Sequence, residues 1–135
     1  MNRKLILDTE TTGLDFHSDK IIEIGIIELI DGIRTNNNFH KYINPQKSIN
    51  YEAQKIHGLT NEFLKEKQLF SDICNNFLNF ISDDTLVIHN SNFDISFINK
   101  ELKNCGKMKL KNPVIDTISL AKMEFPGQSV NLDSL

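Results

Sequence analysis

The sequence predicts an α/β fold built on one mixed β-sheet, an antiparallel three-strand meander followed by alternating helices and strands. Three patterns carry that prediction. Apolar, β-branched runs bracket an Asp31-Gly32 turn signal. Two apolar stripes at spacings of three and four come later in the chain. Short apolar runs of strand length precede and separate those stripes.

Residues 4 to 8 (KLILD) read as a central strand. Residues 21 to 30 (IIEIGIIELI) form a long second strand, and 33 to 43 (IRTNNNFHKYI) its antiparallel partner, with Asn44-Pro45 breaking the pattern. A polar connection follows. Phe70, Ile73, Cys74, Phe77, Leu78 and Ile81 then mark one face of an amphipathic helix. Residues 85 to 89 (TLVIH) are a buried strand, and Phe93, Phe97, Ile98, Leu102 and Cys105 mark a second helix ending near Gly106. Residues 113 to 117 (PVIDT) form a last strand, leading into a short helix over 118 to 124 that stops before Pro126-Gly127. Asn131 reads as an N-cap, and Leu132 and Leu135 would open another helical stripe. The 135 residues are therefore expected to form one domain whose last element is incomplete.

Composition narrows the class. Apolar and charged fractions of 39% and 24% are those of a globular chain, and a net charge of −3 provides no global field for nonspecific nucleic-acid binding. Bound cations would supply local positive charge to a metal-dependent nuclease, so that class is not excluded. Cys74 and Cys105 lack metal or redox spacing and read as small core residues. The start MNRKLILD has no apolar stretch long enough for a signal peptide or membrane span, which implies a cytoplasmic protein with no membrane partner.

The chemistry concentrates in LILDTETTGLD. Side chains alternate along a strand, so Asp8 and Glu10 project from one face. Two ionised carboxylates there repel each other and are costly to desolvate, and a hard divalent cation relieves both problems. Gly13 permits a turn with positive φ, leaving the Thr11 and Thr12 hydroxyls near whatever the acids hold. The alternative is a loop-capping Asp8 and a solvated Glu10. Asp94, in HNSNFD, follows a strand and opens a helix. It either completes a capping box with Ser91 or joins the acids at a shared metal site. His89 supports the turn before Asp94, Asp116 reads as an N-cap, and Phe93 is either core or a base-stacking ring.

In order along the chain, DTETTGLD, KIIEIG, NFHKYINP, EAQKIHGLT, VIHNSNFDISFINKEL, DTISLAK, FPG and NLDSL resemble the proofreading epsilon subunits of bacterial DNA polymerase III. More broadly they resemble the DEDD superfamily of 3′–5′ exonucleases on an RNase H-like fold. The resemblance spans residues 4 to 135. It implies two divalent cations, Mg²⁺ or Mn²⁺, with Asp8 bridging them, Glu10 holding one and Asp94 anchoring the other. Those three residues are thus the implied catalytic and metal set. Thr11, Glu52 and His57 match positions lining or contacting the terminal nucleotide; read without the resemblance, His57 is a loop histidine before a helix capped by Thr60, and Glu52 a surface acid.

The implied reaction is hydrolysis of mismatched 3′-terminal nucleotides from DNA during replication, releasing nucleoside 5′-monophosphates. The implied partners are a single-stranded 3′ end and, in the full-length relative, the polymerase III catalytic (alpha) subunit and the sliding clamp. The superfamily's third motif, His-x-x-x-x-Asp, supplies the general base and a fourth carboxylate beyond NLDSL. The expectation is therefore an exonuclease domain incomplete at its C-terminal end, with activity reduced by about 10²–10⁴-fold for want of the base. Two other readings stay open: a non-replicative DNA- or RNA-trimming exonuclease of the same superfamily, and a catalytically dead remnant acting as a binding module.

Overall fold

The computed structural model describes residues 2–118. Strand β1 (Arg3–Thr11) runs three residues beyond its predicted end, so Asp8 and Glu10 are both strand residues. β2 (Ile21–Ile30) and β3 (Ile33–Tyr42) flank a tight turn in which Asp31 and Gly32 have φ of 50° and 83°. Positive φ at both positions gives the twist that a two-residue hairpin needs. Helices α1 (Tyr51–His57), α2 (Asn61–Leu64) and α3 (Phe70–Ile81) precede β4 (Thr85–Ile88), and α4 (Ser91–Asn104) connects it to β5 (Val114–Asp116). The predicted helix over 118 to 124, beyond its first residue, and the cap at Asn131 lie outside the described residues.

The sheet order is β3-β2-β1-β4-β5, antiparallel from β1 through β3 and parallel from β1 to β5. Its main core joins one set of strand residues to the two long helices. Leu5 and Leu7 of β1, Ile24 and Ile26 of β2, and Leu86 and Ile88 of β4 cluster with the stripe of α3, namely Phe70, Ile73, Cys74, Phe77 and Ile81. Phe97, Ile98 and Leu102 of α4 complete the layer. Cys74 is buried and Cys105 half-buried, and both are free thiols.

The opposite parity of β1 places Ile6, Asp8 and Glu10 on the other face. Register puts Asp8 opposite Gly25 and Glu10 opposite Glu23.

Two helices occupy the polar connection: α2 follows Thr60, where a capped helix is read, whereas α1 is not anticipated, and His57 is its last residue rather than a loop residue. Neither helix has a clear apolar stripe, and α1 buries no residue fully. Local bonds hold them instead. The Asn50 side chain accepts from the Glu52 N–H, and Gly58, at φ 74°, ends α1 by donating to the Gln54 carbonyl. Thr60 caps α2 as predicted, accepting from the Phe63 N–H at 3.1 Å. A small cluster of Ile22, Ile49 and Leu64 then docks the pair beside β2. Thr60→Ala is expected to cost about 1 kcal/mol, as loss of a helix N-cap does, read as a lower urea midpoint.

Candidate active site

The loop leaving β1 is drawn together by Asp19. Its carboxylate accepts from the Thr12 hydroxyl at 2.8 Å, from the Asp15 N–H at 3.0 Å and from Lys47 Nζ at 2.9 Å. A Cβ on Gly13 would collide with that carboxylate. The glycine is therefore required by close approach and not, as the sequence suggests, by positive φ, which among the described glycines belongs to Gly32, Gly58 and Gly106. Thr11 is buried, and its hydroxyl donates to the Gly13 carbonyl at 2.6 Å.

This loop, the end of β1, α1 and the first turn of α4 enclose a cavity of about 430 Å³. Four of the six sequence-predicted site residues line it: Glu10, Thr11, Glu52 and His57. Phe93 lines it as well, packing on Phe97 at 4.8 Å between ring centres, so the ring is both core and cavity wall. His57 Nδ1 accepts the Leu59 N–H at 3.0 Å, which leaves the ring proton of the neutral imidazole on Nε2. Nε2 is buried and has no hydrogen-bond partner among the described residues. An orphaned buried donor at a cavity wall is costly unless a ligand accepts from it.

Asp8 and Asp94 do not line the cavity. Asp8 stands on the open sheet face beside Glu10, two positions earlier in the β1–β2 register. Asp94 is 4% exposed, and the Thr9 hydroxyl, pointing inward from β1, donates to its Oδ1. The capping box with Ser91, the alternative to a metal role for Asp94, does not form. The Ser91 hydroxyl and N–H instead donate to Asp116, at 2.9 and 3.0 Å. Asp116 also accepts from the Ile118 N–H, the structural capping role read from sequence. Burial works against its charge, but the Ser91 bonds hold its carboxyl below the usual range. His89 Nδ1 lies 2.9 Å from the Thr117 hydroxyl, tying the residue after β4 to the residue after β5.

Three of the acids sense one another electrostatically. Desolvation raises the Asp8 carboxyl, with the Glu23 charge adding to it. Glu10 rises by desolvation and by its proximity to Asp8 and Glu23. Asp94 is pushed up to about 7, by burial first and then by the Asp8 and Glu10 charges, although the Thr9 bond works the other way. Oxygen donors that repel one another in this way suit a hard divalent cation. Among the described residues, however, no three His, Cys, Asp or Glu side chains converge closely enough to hold a single ion. The fit therefore rests on donor chemistry and shared charge, not on a closed ligand cage.

Sequence reasoning passed over Glu23 and Glu101. Glu23 faces Glu10 across the strands and pairs with His40 at 2.6 Å. The one signal was an acid inside the apolar run IIEIGII. Glu101, 7% exposed, accepts from the Ile21 N–H at 3.2 Å, and its signal was an acid between Ile98 and Leu102 in a core stripe.

The sheet order, the helices on its core face and the acids at the end of β1 define the class. The exonuclease family RNase_T matches residues 5–135, and the chain belongs to that family. The DNA polymerase III subunit epsilon of Rickettsia typhi is 49% identical over 98% of the chain and 60% of the relative. The subunit of the same name from Salmonella typhimurium is 40% identical over all of the chain and 59% of the relative. The chain thus spans about 60% of the length of these curated relatives.

Among solved structures, exonuclease X in complex with 5′ overhanging duplex DNA superposes with a TM-score of 0.74 at 26% identity, covering 95% of the chain and 68% of that structure. E. coli exonuclease I in complex with a dT13 oligonucleotide superposes at 0.81, covering 97% and 32%; at 14% identity it supports the RNase H-like fold alone.

Proposed function

We propose that this chain is the exonuclease domain of a replicative proofreading enzyme, removing 3′-terminal nucleotides from single-stranded DNA ends as nucleoside 5′-monophosphates. The observation that carries this reading is the grouping of Glu10, Thr11, Glu52, His57 and Phe93 around one cavity, with Asp8 and Asp94 within electrostatic reach of Glu10. The names of its relatives support a role in DNA replication.

Each residue has a part. His57 donates from Nε2 to an oxygen of the terminal nucleotide, satisfying its orphaned proton. Glu52 is an acceptor for a sugar hydroxyl, and Phe93 offers a ring on which the terminal base stacks. Thr11 shapes the floor, since its hydroxyl is committed to Gly13. Asp8, Glu10 and Asp94 would hold two divalent cations, Mg²⁺ or Mn²⁺. When bound, such a pair supplies Lewis-acid charge at the attacking and leaving oxygens of the phosphodiester.

By the resemblance, the general-base histidine and fourth carboxylate belong to a segment beyond NLDSL, so residues 1–135 contribute three of the four acids. A cavity that accepts one unpaired terminus selects mismatched ends, which fray more readily. The whole protein is proposed to act in the cytoplasm beside the polymerase III catalytic subunit and the sliding clamp. Among the described residues no helix is long and apolar enough to cross a membrane.

The test uses 5′-labelled single strands, matched duplexes, 3′-mismatched duplexes and RNA, each with Mg²⁺, with Mn²⁺ or with EDTA. Stepwise shortening from the 3′ end is expected, faster on single-stranded and mismatched DNA, with 5′-monophosphate products and arrest by EDTA. Internal cuts, 3′-monophosphate products, a preference for RNA or insensitivity to EDTA would overturn the proposal.

A further inference from the structure

A second hollow, of about 500 Å³, adjoins the first. The same two elements wall both. Leu14 and Asp15 of the loop after β1 line the first, and Phe16 and His17 the second; Phe93 of α4 lines the first, and Ser96, Asn99, Lys100 and Lys103 the second. Lys107 and Lys109, just past α4, complete its wall. Four lysines thus surround one groove with no carboxylate in its lining, in a chain whose net charge is −3. None of the four pairs with an acid among the described residues. The nearest loop acids are engaged elsewhere: Asp19 with Lys47, and Asp15 with the Ser18 hydroxyl and the His17 N–H.

We infer that this groove carries the sugar–phosphate backbone of the single strand upstream of the 3′-terminal nucleotide, a reading that rests on the proposed function. The spacing supports it. Phe93, Ser96, Lys100 and Lys103 fall at intervals of three and four, so they form one stripe along α4 that starts at the cavity. At 1.5 Å per residue the stripe is about 15 Å long, enough to run beside two or three consecutive phosphates of an extended single strand, whose spacing is about twice the 3.4 Å rise per strand of the duplex. The Phe16 and His17 rings lie 4.2 Å apart, and Phe16 is 39% exposed, providing an aromatic surface beside the phosphate track. Lysines with interleaved aromatics are the combination that binds single strands without reading their sequence.

The experiment measures fluorescence anisotropy of labelled dT2, dT4, dT6 and dT12 in Ca²⁺ buffer across a salt series, with rU12 as the RNA arm. The unaltered chain is expected to gain affinity from dT2 through dT4 and to level off by about dT6, as a track of two or three phosphates beyond the terminal nucleotide requires. K100E/K103E should flatten that length dependence and reduce the log–log salt slope by about 1.4, at roughly 0.7 per lost phosphate contact. The charge-matched surface variant K65E/K111E should keep both. Equal loss in the two variants, or an unaltered chain that binds dT12 no more tightly than dT2, overturns the inference. Tighter binding of rU12 than of dT12 leaves the groove in place but assigns it to RNA. Hydrolysis of dT2 is read separately: its failure counts against the proposed function, while the length series still decides the role of the groove.

Discussion

Asp8→Asn and Glu10→Gln are each expected to lower 3′-terminal hydrolysis by about 10³-fold or more relative to the unaltered chain, since each removes charge aimed at the reacting phosphodiester. Both side chains stand on the open face of β1, outside the packed core, so the loss should not come from unfolding. The melting temperature in metal-free buffer should instead rise. Desolvation first, then the Glu23 charge at both and the Asp8 charge at Glu10, hold the two carboxyls above their ordinary values, and a neutral isostere removes that penalty. Isothermal titration with Mn²⁺ should show weakened binding in the same variants. Glu23→Gln is the comparison. It removes a charge from the same face, but its partner is His40, so hydrolysis should stay within about tenfold, as for a side chain that tunes the site without touching substrate. Asp8→Asn hydrolysing within about tenfold of the parent would remove that residue from the catalytic set.

The second large effect is a pH-dependent stability set by Asp94. Its folded-state value, about 7, lies above the ordinary aspartate range. Between those two values the folded chain keeps a proton that the unfolded chain has released. The contribution to stability is therefore fully present below the unfolded value and is lost as pH rises through about 7. Roughly three pH units at about 1.4 kcal/mol each set the scale at roughly 4 kcal/mol. Glu101, raised chiefly by burial, pulls in the same direction, whereas Asp19 and Asp116, held below their usual range, matter only on the acid side.

Urea unfolding in EDTA should accordingly show a more stable chain at about pH 5 than at about pH 8. Asp94→Asn, which can still accept from the Thr9 hydroxyl, should be the more stable protein under the alkaline condition and flatten the profile. Mn²⁺ should raise the alkaline stability of the unaltered chain and have little effect on the variant. A parent and variant with parallel pH profiles would show that Asp94 is not the group that titrates.

The strands and long helices were open to reading from local pattern. β2 and the stripe of α3 have the bounds read for them, because a β-branched apolar run of about ten residues, or a period of 3.6 sustained over that length, is a strong signal. The direction of Asp8 and Glu10 follows from strand alternation alone and holds in the structure. So does the hairpin at Asp31-Gly32, whose backbone demands residues tolerant of positive φ. Helices α1 and α2 were not open in the same way. Caps and docking on Ile22 hold them, and neither leaves a period in the sequence.

The remaining differences share a physical cause, which is that long-range neighbours decide what a polar side chain does. Asp94 has capping-box spacing, but Thr9 claims its carboxylate across 85 positions, and Ser91 turns to Asp116 instead. Gly13 sits where a turn would call for it, yet the approach of Asp19 is what excludes a side chain. The lysines at 100, 103, 107 and 109 form no unbroken run in the sequence, and α4 with the loop after β1 sets them around one groove. Period and alternation act between near neighbours and are written in the chain; burial, orphaned donors and shared charge arise only when distant segments pack.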